Sequence, residues 1–136
     1  MIIVLDTNVL ISGILKPYSK AATILRLVAD GAIQLAYDLR LLSEYRDVLN
    51  RSKFNFAKEN VEGFLEQTEE EGLLVSVKPL KFHLPDPDDE PFLEVALSGG
   101  VIAIVTGNKR HFPKKECGGM RVLSPAEFLE AVNEKI

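Results

Sequence analysis

The sequence has a single cysteine, two histidines, and no unbroken apolar run longer than about five residues. Each shortage closes off a class of protein. Cys117 has no partner for an internal disulfide, and the N-terminus has neither a basic flank nor the apolar core of a signal. The expected compartment is therefore a reducing cytoplasm. A bilayer span needs roughly 20 consecutive apolar residues, so no membrane partner is expected. His83, His111 and Cys117 lack the spacing of a zinc site. Positive charge is also short: 16 Lys and Arg stand against 20 Asp and Glu, a net charge of −4. That balance excludes a chain that grips nucleic acid through bulk positive charge. It leaves a nuclease open, because carboxylates that gather divalent cations make a chain acidic and the bound cations reverse the local field.

What is present is ordinary globular composition, 46% apolar and 26% charged over 136 residues, with no repeat or linker. One domain spanning 1–136 is expected. Short apolar runs alternate with helical patterns. Residues 2–6 (IIVLD) read as a buried strand. Thr7 or Asn8 caps a short helix to about Leu15, broken by Lys16-Pro17. Ser19 caps a helix stopped by Gly31, residues 33–37 form a second strand, and Asp38 caps a third helix carrying Leu41, Leu42, Tyr45, Val48 and Leu49 on one face. A fourth helix runs from about Ala57 to Glu71. Residues 73–77 form strand three, and a proline-rich loop leads into a helix from about Glu90 to Ser98. Residues 101–106 form strand four, 121–123 a short strand five, and Ser124 to Glu127 a capping box that opens a last helix. Near-continuous apolar strands alternating with helices predict a parallel sheet covered on both faces. In such sheets the active crevice lies beyond the carboxyl ends of the strands.

The polar residues at those ends are therefore the ones to weigh. Asp6 follows strand one. Asp86, Asp88 and Asp89 crowd the start of the helix before strand four, and Thr106, Gly107 and Asn108 follow that strand. Glu44 borders the apolar stripe of its helix rather than opposing it, so it is placed to reach toward the crevice. Bland readings exist: Asp88 or Asp89 as a helix cap, Glu44 as a solvated residue. Asp6 is harder to dismiss, because it ends a buried strand on the ligand-binding side. Several carboxylates converging there repel one another unless cations lie between them. All-oxygen ligands suit Mg²⁺ or Mn²⁺.

Four blocks, VLDTNVLIS at 4–12, SEY at 43–45, DPDDEPFLEVA at 86–96 and VTGNKRHF at 105–112, resemble the PIN domain in order and spacing. The resemblance is closest to the bacterial and archaeal toxin components related to the VapC ribonucleases. It implies a three-layer α/β/α sandwich with a mostly parallel, about five-stranded sheet, and a metal-dependent endoribonuclease. The family's three acids fall on Asp6, Glu44 and Asp89, which the resemblance makes catalytic and metal-holding around Mg²⁺ or Mn²⁺, with Asp86 or Asp88 close enough to share the third role. Asn108 stands where many PIN domains carry a fourth aspartate, and is a further candidate ligand without charge. Thr7, Asn8 and Thr106 are expected to support the site, and Lys109, Arg110 and His111 to contact the RNA backbone. A cognate antitoxin and a homodimer, on the helices at 19–30 and 57–71, are the implied protein partners. The alternative is a PIN module that binds RNA or a partner without cleaving, motivated by Asn108. A phosphatase with Asp6 as nucleophile wants an aspartate two residues on, where this chain has Asn8.

Overall fold

Residues 2–5 are aliphatic without interruption, as suits a strand buried on both faces. They form β1 (Ile2–Leu5) at the middle of the sheet. The structure, a computed structural model, describes residues 1–133. Two helices, α1 (Thr7–Leu15) and α2 (Lys20–Ala29), lead to β2 (Gln34–Tyr37). Two more, α3 (Leu39–Leu49) and α4 (Lys58–Glu71), lead to β3 (Leu73–Leu74). Then come α5 (Glu90–Gly99), β4 (Ala103–Val105), β5 (Val122–Leu123) and α6 (Pro125–Asn133).

All five strands pair in parallel, in the order β3-β2-β1-β4-β5. This is the α/β/α architecture expected from the alternation. The chain steps outward from β1 to β3, then returns across the sheet to place β4 on the other side of β1. The right-handed rule for parallel crossovers sends the outward and returning connections over opposite faces. The reversal leaves a crevice at the carboxyl ends of β1 and β4. Asp6 and Thr106 are the residues that follow these two strands. Ile3, Val4, Leu5, Ile104 and Val105 are fully buried beneath them, so the crevice floor is rigid.

Helix ends follow local chemistry. Ser19 accepts a hydrogen bond from the Ala22 amide, and Asp38 accepts from Arg40 and Leu41. At α6 the capping box is reciprocal: the Ser124 amide donates to Glu127 at 2.9 Å and the Glu127 amide donates to Ser124 at 3.1 Å. Gly100 takes the left-handed conformation that ends α5. The first helix differs from expectation. It begins at Thr7, so Asp6 rather than Thr7 or Asn8 holds the cap position, and the Asp6 side chain makes no cap bond.

The third strand is shorter than the apolar run 73–77. The Val75 amide still donates to the Tyr37 carbonyl of β2 at 2.8 Å; beyond it the backbone leaves the sheet edge, and later amides find partners on α5: Lys78 donates to Ser98 Oγ at 2.9 Å and Leu80 to Glu94 Oε2 at 3.0 Å. Glu94 also pairs with Arg40 at 2.7 Å, and Arg40 with Asp38 at 2.8 Å, which locks α3 to α5. No helix among the described residues is long and apolar enough to cross a membrane.

Tyr45 ties α3 to the sheet. Its ring is fully buried, beside Phe64 and Phe92, and its hydroxyl donates to the Leu5 carbonyl at 2.5 Å. This anchors the helix that carries Glu44 to the strand that carries Asp6. Tyr45→Phe leaves the shape intact and strands that carbonyl, so urea denaturation should show a loss of about 1–2 kcal/mol. A change within experimental scatter contradicts the anchoring role.

Candidate active site

Four elements contribute to the crevice. Asp6 and Thr7 come from the β1–α1 junction, Glu44 from α3, Asp89 from the start of α5, and Thr106 from the end of β4. Asp6, Thr7, Asp89 and Thr106 are buried, which is unusual for polar residues and requires partners. Thr106 is completely buried and donates to Asp6 Oδ2 at 2.7 Å. Its oxygen also accepts the Asn108 amide at 3.1 Å. The Thr7 hydroxyl donates to Glu44, joining α1 to α3. Asn8 is exposed, and its side-chain oxygen accepts the Gly107 amide at 3.1 Å, tying α1 to the turn after β4.

Two aspartates occupy helix cap positions here, and neither side chain caps its helix. The capping reading therefore fails at Asp89. The cap-like role nearby belongs to Asp86, which accepts the Asp88 amide at 2.9 Å at the start of a 3-10 turn (Pro87–Asp89). Asp86 and Asp88 are both exposed.

The three remaining acids hold their protons more tightly than free carboxyls. Burial raises Asp6 above its ordinary range, opposed by the hydrogen bonds from Thr106 and the Thr7 backbone. Glu44 is raised by burial and by the neighbouring charges of Asp6 and Asp88, against the bond from Thr7. Asp89 is raised to about 6, first by burial, then by Asp6, Asp86 and Glu44, with His111 pulling the other way. The charge of Asp6 thus acts on both Glu44 and Asp89, and that of Glu44 on Asp89. Asp89 Oδ2 is buried with no hydrogen-bond partner among the described residues. The His111 ring nitrogen Nδ1 lies 3.3 Å from it without hydrogen-bond alignment. A buried, unpartnered carboxylate oxygen under the influence of two further carboxylates is costly unless a cation approaches.

The residues after β4 are arranged differently from a simple basic run. Asn108 Oδ1 accepts the Arg110 amide, and Asn108 Nδ2 lies 3.0 Å from His111 Nε2. His111 thus sits between Asn108 and Asp89. Lys109 is bound to Glu127 at 2.9 Å, and that partner together with the Ser124 amide holds the Glu127 carboxyl down at about 2. Arg110 is exposed. The direction of the His111 ring follows from a 3-10 turn (Lys109–His111) that residue spacing does not reveal. Tyr45 and its bond under Asp6 were likewise hidden, since an aromatic on a helix face reads as core.

A family model for the PIN domain matches residues 2–110, most of the chain. The chain belongs to the PIN domain family. No curated protein matches it. PIN domains are generally nucleases and typically use divalent metal ions. In this PIN domain the donor set fits such an ion chemically: three carboxylates, one with an orphaned buried oxygen, and no sulfur among them. Among the described residues, no three acidic, histidine or cysteine side chains stand close enough together to hold a metal ion as they are placed, so binding one requires the acids to draw in.

The Asp89 shift predicts a pH effect on the cation-free protein. Its folded-state value of about 6 exceeds the ordinary 3.8. The stability it contributes is therefore fully present below 3.8 and lost as pH rises through 6. Asp89→Asn abolishes this dependence. The stability difference between parent and variant, followed by denaturant midpoints in EDTA, should shift against the parent across that window. A flat difference contradicts the raised value.

Proposed function

We propose that the chain is a divalent-metal-dependent endoribonuclease, with Asp6, Glu44 and Asp89 as its metal-holding acids and Mg²⁺ or Mn²⁺ as the cofactor. The observation that carries this reading is the buried Asp89 oxygen left without a hydrogen bond beside two other carboxylates. Family membership supplies the nuclease class, and the motif blocks around residues 4–12, 43–45, 86–96 and 105–112 support RNA as substrate. Their resemblance to VapC-like proteins supports a toxin held by a cognate antitoxin.

The chain's own residues do most of the positioning. Thr106 and the Thr7 amide fix the position of the Asp6 carboxylate and partly offset its burial, and the Thr7 hydroxyl fixes Glu44. Tyr45 ties α3 to β1 and the Arg40–Glu94 pair ties α3 to α5, which limits the movement Glu44 and Asp89 would need to close on a cation beside Asp6. A bound Mg²⁺ or Mn²⁺ supplies activation of water and neutralisation of charge at the phosphate. The amino end of α1 adds its partial positive charge toward the scissile phosphate. Hydrolysis breaks the P–O3′ bond and leaves a 5′-phosphate and a 3′-hydroxyl.

A second reading, an RNA- or partner-binding PIN module without cleavage, draws on Asn108. Its side chain is engaged with the Arg110 amide and the His111 ring and brings no charge to the site.

Asp6→Asn separates the two readings. Manganese-dependent cleavage of RNA should fall by at least about 100-fold, the upper end of what losing a supporting partner alone costs. The cation-free melting temperature should hold or rise, because a buried charge is removed. EDTA should silence the parent. Parental activity in the variant, or cleavage by the parent in EDTA, overturns the metal mechanism. Binding of RNA with no cleavage by the parent under any divalent cation selects the second reading.

A further inference from the structure

Positive charge is scarce in this chain, yet it is unevenly placed. Five of the 16 lysine and arginine residues fall within 109–121, namely Lys109, Arg110, Lys114, Lys115 and Arg121, against a single acid, Glu116. A chain of net charge −4 thus carries a basic segment immediately after β4. Lys109 is paired with Glu127. The other four cations are exposed and make no ion pair among the described residues. Uncompensated charge of one sign, concentrated on a molecule of the other sign, calls for an external partner of opposite charge.

The same segment folds around a cavity of about 480 Å³ beside β5, within the range that small ligands occupy. Its floor is apolar, made by the half-buried Met120, Val122 and Leu123 with the buried Phe112 behind them, and its rim carries Lys109, Lys114 and Arg121. Gly119, in the left-handed conformation with open space where a side chain would project, stands at the same cavity. The 3-10 turn Lys109–His111 is the wall between this cavity and the acids: Lys109 lines the cavity, while His111 lies 3.3 Å from Asp89. The cavity and the acids are thus joined through this one turn.

An apolar floor with a cationic rim is the chemistry that takes a base together with its flanking phosphates. We propose that this cavity holds a nucleotide of the single-stranded RNA adjoining the scissile bond, its base on Met120, Val122 and Leu123 and its phosphates on Lys114 and Arg121. The inference rests on the reading of the neighbouring acids as a ribonuclease site. It explains how an acidic protein binds a polyanion: repulsion from the acids is offset by an adjacent basic pocket rather than by net charge.

The test is fluorescence anisotropy of a labelled eight-nucleotide single-stranded RNA against the full chain and its K114E/R121E variant, in EDTA over a salt series. Both side chains are exposed and unpaired among the described residues, so the melting temperature should not change. The variant should bind at least about tenfold more weakly. The slope of log affinity against log salt should drop by about 1.4, for two contacts at roughly 0.7 each on a single strand. Unchanged affinity and slope overturn the cavity assignment, even if the parent cuts RNA. The expected losses in binding, from a parent that never cuts RNA with any divalent cation, keep the cavity and overturn the ribonuclease reading instead. A labelled poly-glutamate peptide that binds more tightly than RNA, and is lost in the same variant, overturns RNA as the occupant in favour of an acidic protein.

Discussion

A carboxylate that ends a fully buried strand has to be satisfied from the neighbouring strand, and in this fold Thr106 does so. Its hydroxyl reaches Asp6 Oδ2 across the β1–β4 junction at 2.7 Å, and its own position is fixed because it too is fully buried. The bond exists only because the chain reverses direction there and places β4 beside β1. Once Asp6 is held, the other acids are brought against it by elements that answer to the same core. Tyr45 hangs α3 from the Leu5 carbonyl, and Arg40 bridges α3 to α5 through Glu94. The result is a site in which Asp6 and Glu44 are anchored by hydrogen bonds and Asp89 is left without one.

That combination explains the electrostatics. Burial opposes the ionised form of both Asp6 and Glu44, and at Glu44 the charge of Asp6 adds to it, while hydrogen bonds from Thr106 and Thr7 favour it. Asp89 has no such hydrogen bond and is raised furthest toward neutrality, to about 6. A hard cation is the one partner that reverses all three effects at once, because it supplies the missing charge and the missing contact together. His111, 3.3 Å away, is placed to moderate the cost when no cation is bound.

Much of this was readable from residue order. Continuous aliphatic strands, the helix stops at Gly31 and Gly100, and the Ser124–Glu127 box led directly to elements in their observed places, because each depends on neighbours within a few residues. The parallel sheet followed from the alternation. Asp6, Glu44 and Asp89 could be singled out because acids beside apolar stripes and strand ends stand out against the pattern. What could not be read was set by partners far along the chain. The third strand falls short of Val77 because, past Val75, Ser98 and Glu94 on α5 take the amides of Lys78 and Leu80. Asp89 declines to cap its helix because Asp86 already orders that turn. The ring of His111 turns toward Asp89 through a short 3-10 turn whose direction no periodicity encodes.

The central claim is that these three acids are a cation site awaiting its ion. The most direct test is the melting temperature of the full chain at pH 7 across a Mn²⁺ titration, followed without any RNA. A ligand that binds only the folded state stabilises it by about 2.7 kcal/mol at 100 times its Kd. The account predicts a saturable rise of several degrees in the parent that is absent from Asp89→Asn. A parent whose melting temperature does not respond to millimolar Mn²⁺, or a variant that responds equally, contradicts it.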